Sequence, residues 1–180
     1  MDSNLEQQLQ FLIEGKNFDG AFKLVLSGYQ QKVYWHVRRM LVVHEDANDV
    51  VQDVFIKVWK ALPNFQGQSK VYTWLYRIAT NECITFLQKK RMTMVEDGDE
   101  YLSHVQSDHH ALELTGDEIK NKLMKAVYCL PEKQQLVFNM KYFDHMKYEE
   151  MSDVLGTSVG ALKASYHHAV KKIEEILKED

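Results

Sequence analysis

The residues best placed to do chemistry in this chain are hydrogen-bond donors near its end. Ser158, Lys163, Ser165, His167, Lys171 and Lys172 stand in a stretch where Val159, Leu162, Tyr166, Ala169, Val170 and Ile173 recur at helical spacing. The donors therefore fall off the apolar face of an amphipathic helix. Ammonium groups so presented suit phosphate oxygens and the acceptor edge of guanine, chiefly from Lys163 and Lys171. Just upstream, Tyr148-Glu-Glu-Met-Ser-Asp-Val-Leu predicts a shorter helix, with Gly156 supplying a tight turn and Ser158 a cap for the longer helix. Two helices joined in this way have the form of a helix-turn-helix, whose second helix lies in the major groove of DNA. A solvated amphipathic helix in an ordinary bundle has the same periodicity, so the segment alone leaves both readings open.

Other chemistries find little support. No Ser/His/Asp arrangement, glycine-rich phosphate loop or metal-ligand spacing occurs, so neither an enzyme nor a cofactor is expected. The adjacent pair His167-His168 diverges by about 100° on a helix, which is poor geometry for sharing a metal ion. His109-His110 sits in a polar, aperiodic segment. Cys83 and Cys129 stand far apart, each within an apolar helical pattern and without a CxxC neighbour, and are expected to be two buried, reduced thiols.

The elements that must position these groups read as helices throughout. Phe11-Leu-Ile, then Phe22, Leu24, Val25, Tyr29, Val33, Tyr34, Val37 and Leu41 recur at three- and four-residue spacing. The segment His44-Glu-Asp-Ala-Asn is a polar break, with Glu45 or Asp46 able to cap the next helix. That helix carries Val50, Val51, Val54, Phe55, Val58, Trp59 and Leu62 and stops at Pro63. Asn64–Lys70 is a loop by composition. A further helix runs from about Tyr72 to Arg91, with Trp74, Leu75, Ile78, Ala79, Cys83, Phe86 and Leu87 inward. After residues 92–118, which keep no period, a helix from about Glu118 to Cys129 and another opened by Pro131 precede the terminal motif. No strand alternation and no run of about 18 apolar residues appears, so the expectation is an all-α chain without a membrane span. The N-terminus lacks the basic and apolar parts of a secretory signal.

The net charge of −4 is unusual for a DNA-binding chain, and its distribution explains it. Residues 1–92 carry 12 Lys+Arg against 9 Asp+Glu. Residues 93–119 carry 8 Asp+Glu and no cation, and residues 120–180 carry 10 Lys against 9 Asp+Glu. The acidity is thus confined to one middle segment between mildly basic blocks. That segment reads as a polar linker between two domains.

A second constellation narrows the field. Asp46-Ala-Asn-Asp-Val-Val-Gln-Asp-Val-Phe-Ile-Lys-Val-Trp-Lys60 is followed by Phe65-Gln-Gly-Gln-Ser and then by Thr73-Trp-Leu-Tyr-Arg-Ile-Ala-Thr-Asn81. This resembles the first conserved domain of the sigma-70 family of bacterial RNA polymerase sigma factors. Leu130-Pro-Glu-Lys-Gln-Gln-Leu-Val-Phe, Tyr148–Gly156 and Ser158–Lys163 are similar to the second domain. The matches come in family order and span roughly residues 20–92 and 120–178. The short two-domain form resembles the extracytoplasmic function (ECF) group.

The resemblance implies two small helical domains, 1–92 and 119–180, joined by an acidic linker at 93–118. It implies that Asp46, Asp49, Gln52, Asp53, Phe55 and Trp59 dock on the polymerase core, with Lys57 on the same polar edge. It implies that Asn64, Phe65, Gln66, Gln68, Ser69 and Lys70, with Arg77, Lys89, Lys90 and Arg91, bind and help open the −10 promoter element. A base taken out of its stack needs a pocket, partners for its edge and often an aromatic neighbour. Trp74 and Phe86 follow the buried period and are read as core. The terminal donors Ser158, Lys163, Ser165, His167, Lys171 and Lys172 would read the −35 element. Many family members have arginines where this chain has Ser165, His168 and Val170, so free-protein affinity for DNA should be low. The implied partners are core polymerase, promoter DNA and an anti-sigma factor, in the cytoplasm and without direct membrane insertion. Two other readings remain for the residues themselves: a stand-alone helix-turn-helix regulator with an N-terminal dimerisation or sensor domain, and a helical adaptor that binds only protein.

Overall fold

In a computed structural model of the chain, residues 3–41, 43–97 and 118–179 are described. All their regular structure is helical, and no strand occurs among them. The chain divides into two compact units, Met1–Lys89 and Lys90–Asp180.

The first unit is built from α1 (Ser3–Glu14), α2 (Phe18–Met40), α3 (His44–Ala61), a 3-10 turn (Leu62–Asn64) and α4 (Val71–Asp97), which continues into the second. α2 packs on α1 and on α3. Val25, Tyr29, Val33 and Val37 bury one face of α2, and Val50, Val54 and Val58 bury one face of α3. Both series advance by four, as a core-facing helix stripe requires. Each such fully buried aliphatic side chain contributes about 1.5–3 kcal/mol. The α2 start is capped by Asn17, whose Oδ1 accepts from the Gly20 N–H at 3.0 Å.

Four details depart from the periodicity. Phe11 is 76% exposed, and Leu9 takes the buried place on α1. α3 begins at His44 after Val43, with no side-chain cap, so Glu45 and Asp46 sit in its first turn instead, where they complement the helix dipole. α4 runs past Arg91 to Asp97. Its first turn is enclosed on all sides: Val71, Tyr72, Thr73, Trp74, Leu75 and Tyr76 are all buried. The acidic stretch 98–117, with His109-His110, lies outside the described residues.

The second unit holds α5 (Glu118–Tyr128), α6 (Glu132–Phe138) running into a π turn (Asn139–Phe143), α7 (Tyr148–Leu155) and α8 (Val159–Glu179). α5, α6 and α7 all pack on α8. Ala126, Val127, Leu130, Phe138, Ala169 and Ile173 form one apolar cluster there. Cys129 departs from its expected burial and is exposed, whereas Cys83 is fully buried. The helical stripe passes through Ala126, Val127 and Leu130 and turns Cys129 away from it.

Candidate nucleic-acid interface

Three surfaces gather the candidate residues. The first is a groove of about 1260 Å³ between α2 and α3. Phe22, Leu26, Val51, Phe55, Ile56 and Trp59 supply its apolar lining. The Phe22 and Trp59 rings meet edge to face at 5.1 Å, and Trp59 and Ile56 remain 42% and 44% exposed. Of the six docking candidates, Gln52, Phe55 and Trp59 line the groove. Asp49 and Asp53 are exposed on the same helix, and Asp46 is half-buried near its start. Phe55 is 8% exposed, so it serves the core and the groove together. Lys57, 55% exposed one turn beyond Asp53, donates from its ammonium to Glu82 on α4.

The second surface is the loop ahead of α4. The 3-10 turn ends at Asn64, and Gly67 takes the left-handed conformation at φ +68°. Gln68 Nε2 donates to Gln66 Oε1 at 2.9 Å, and Ser69 Oγ lies 3.4 Å from the Lys70 carbonyl. Phe65 is half-buried against Trp74, with ring centroids 5.0 Å apart. Asn64, Gln66, Gln68 and Lys70 are exposed, as is Arg77 one face further along α4. Lys89, Lys90 and Arg91 are not brought to this loop. At 1.5 Å per residue they lie about 18–21 Å beyond Arg77 along the helix.

The third surface is the terminal motif. Gly156 ends α7 at φ +61°, and its N–H donates to the Ser152 carbonyl at 2.9 Å. Ser158 Oγ accepts from the Ala161 N–H at 3.3 Å, which fixes the start of α8. The Glu150 carboxylate accepts from the Lys147 N–H at 3.0 Å and closes the start of α7. At about 100° per residue, Lys163, His167 and Lys171 fall on one flank of the exposed face of α8, and Ser165 and Lys172 on the other. All but half-buried Ser165 are exposed. Gly160, Ala161 and Ala164, small and exposed, stand near the start of this face, and His168 follows one turn after Ala164.

Aromatic rings support the cationic flank. Lys163 Nζ lies 5.7 Å and Lys141 Nζ 4.7 Å from the Tyr148 ring centroid. Tyr166 stacks on Phe138 at 5.8 Å. Burial pushes the Tyr148 and Tyr166 phenols above the ordinary tyrosine range, so both stay protonated donors near neutrality. Lys171 is 4.0 Å from Glu175, one turn on, in an exposed pair of little energetic weight. The His167 and His168 rings are 6.0 Å apart and inclined at 58°. No cluster of three metal-ligating side chains occurs among the described residues.

Comparison with known proteins identifies the family. Residues 25–93 match the family Sigma-70 region 2, and residues 120–173 match Sigma-70, region 4. The chain is 31% identical over 168 residues to the RNA polymerase sigma-H factor of Pseudomonas aeruginosa, covering 87% of this chain and 86% of that one. It is 31% identical over 176 residues to the ECF RNA polymerase sigma-E factor of Escherichia coli K12, covering 92% of each. In fold it resembles the sigma factor RpoE of Bartonella quintana, solved with the anti-sigma factor NepR, at a TM-score of 0.70 and 22% identity over 88% of this chain and 98% of that one.

Proposed function

We propose, from the premise that this chain belongs to the sigma-70 family of RNA polymerase sigma factors and to its ECF group, a division of labour among its three surfaces. The protein is an initiation factor that works with core polymerase on promoter DNA. The α2–α3 groove takes the polymerase clamp, the loop 64–70 with α4 takes the −10 element, and α8 takes the −35 element.

The observation that carries the reading is the groove itself. A monomer leaves a tryptophan and an isoleucine this exposed in one concave apolar surface mainly where a partner covers them. Asp49, Gln52 and Asp53 then form the polar edge that fixes register. The loop offers amide, hydroxyl and ammonium groups around a half-buried phenylalanine, the set that an unstacked base requires. On α8 the ammonium groups of Lys163, Lys171 and Lys172 address phosphates, with His167 beside them, while the small residues Gly160, Ala161 and Ala164 admit base edges. So few cations bind duplex DNA weakly, and docking on the polymerase raises their effective concentration.

An anti-sigma factor, such as the one seated on the similarly folded RpoE, belongs to the same proposal as the partner that competes for these surfaces. No described helix is long and apolar enough to cross a membrane. We place the factor's work in the cytoplasm, without insertion of its own into a bilayer.

Reconstituted run-off transcription with bacterial core polymerase tests the reading. Promoter-specific product is expected, and none forms if the chain is a stand-alone regulator or a protein adaptor. Trp59→Ala should weaken core binding tenfold or more, at roughly the 2 kcal/mol of a buried interface anchor. Lys163→Ala should lower output at promoters that rely on the upstream element and spare core affinity. Loss of the same step in both variants would refute the division of labour.

A further inference from the structure

The helix α1 precedes the matched sigma segment 25–93, yet one of its side chains reaches the proposed −10 surface. Glu6 places its carboxylate against the start of α4. Oε2 accepts from the Val71 N–H at 3.0 Å, and Oε1 accepts from the Tyr72 N–H at 2.9 Å and from the Tyr29 hydroxyl at 2.9 Å. Val71 and Tyr72 are the first two residues of α4, where the helix has no carbonyl of its own to offer a backbone N–H. Both residues are buried, at 2% and 3% exposure, so water is a poor substitute. The carboxylate also faces the positive end of the helix dipole.

The approach of α1 is built in. Leu9 is fully buried, and a Cβ at Gly28 on α2 would come within 2.5 Å of the Leu5 side chain. The atom met is the end of the flexible Leu5 side chain, which marks how closely α1 lies on α2 there. From the same anchor an aromatic row runs inward: Tyr29 to Tyr72 at 6.0 Å, Tyr72 to Tyr76 at 4.4 Å and Tyr76 to His36 at 4.7 Å. His36 Nε2 meets Thr80 Oγ1 at 2.9 Å. In the other direction, Val71 directly follows the loop that ends at Lys70, and Trp74, which carries Phe65, lies in the first turn of α4.

We infer that Glu6 is a positioning residue for strand opening: it fixes the start of α4, and with it the end of the 64–70 loop, before DNA arrives. The inference rests on the reading of that loop as the −10 surface. A pocket already ordered loses less freedom when it captures a base, so capture competes better with stacking. The carboxylate also fills the helix N-terminus, which leaves phosphates to side chains such as Lys70 and Arg77.

The test uses full-length protein with core polymerase and compares wild type, Glu6→Gln, Tyr29→Phe, Leu9→Ala and Val54→Ala. Glutamine keeps the length of the side chain but turns an N–H₂ toward backbone donors. Permanganate reactivity of promoter thymines reads opening on duplex DNA. Binding to a template pre-melted across the −10 region reads base capture, and titration reads core affinity. Glu6→Gln should lower opening and capture about tenfold, the order expected for a charge-assisted hydrogen bond, with core affinity within about twofold of wild type. Tyr29→Phe, which removes one donor and leaves α4 capped, should have a smaller effect on both. Leu9→Ala loosens the seat of α1 with the carboxylate retained and should lose opening and capture in the same direction, while Val54→Ala, a buried position on α3, serves as the stability control. Normal opening by Glu6→Gln beside an active wild type would overturn the inference and leave the −10 reading standing. An equal loss in Val54→Ala at matched melting temperature would overturn it too, by reducing Glu6 to general stability. A wild type that fails to open any promoter would take down the −10 reading and the inference together.

Discussion

Cys83 and Cys129 occupy similar apolar sequence and meet opposite surroundings. Cys83 is fully buried on α4, and burial first, then the neighbouring Glu82 carboxylate, pushes its thiol well above the ordinary range. Cys129 is exposed at the end of α5. Iodoacetamide at pH 8 should therefore modify one thiol per chain at Cys129, with Cys83 reacting only on unfolding. Peptide mass mapping checks this, and equal labelling of both in the native protein would contradict the buried position of Cys83. A thiol whose pKa is raised on folding holds its proton more tightly in the native state. Its contribution to stability is complete below the ordinary thiol pKa of about 8.5 and is lost as pH rises above it. Lys57 shows the same dependence on neighbours. It stays 55% exposed on its helix, and its ammonium pairs with Glu82 on α4.

At the scale of elements, the turn between α7 and α8 depends on backbone conformation rather than on space. A Cβ at Gly156 would meet no atom within 4 Å, but φ is +61°. Gly156→Ala should cost about 1–2 kcal/mol, the penalty for an L-residue in the left-handed region. Denaturant unfolding measures it, and an unchanged midpoint would mean that the turn relaxes freely. The start of α4 illustrates why periodicity fails where a helix is enclosed. Tyr72, Thr73 and Tyr76 lie off the inner face expected from the sequence and are buried all the same, because elements distant in sequence, α1 among them, close around that turn. Nothing within Tyr72–Arg91 signals the arrival of Glu6. By contrast, the α8 stripe at Leu162, Ala169 and Ile173 was legible, since a helix with one buried face writes its period into the sequence.

At the scale of the molecule, the weak cationic charge of α8 has a measurable consequence. If Lys163, Lys171 and Lys172 make the phosphate contacts, the logarithm of duplex affinity should fall with that of salt at a slope of about −3, from about 0.9 per contact. Titration of the free protein on a −35 duplex across salt concentrations checks this, and a slope beyond about −6 would require cations that the proposed surface does not contain. The sequence by itself determined the helical class, the two sigma-like segments in order and the acidic stretch between them, and it supplied the candidates proposed for the three surfaces. These arise from local periodicity, turn chemistry and motif spacing, which chain neighbours carry. Tertiary structure alone decided that Trp59 and Phe22 form the wall of a groove and that Lys57 pairs with Glu82 on α4. It alone brought Glu6 to the start of α4, 65 residues away in the chain. The physical reason is that a carboxylate on an amphipathic helix looks solvated in any local window. Only the packing of α1 on α2 delivers it to two backbone N–H groups that no sequence period records.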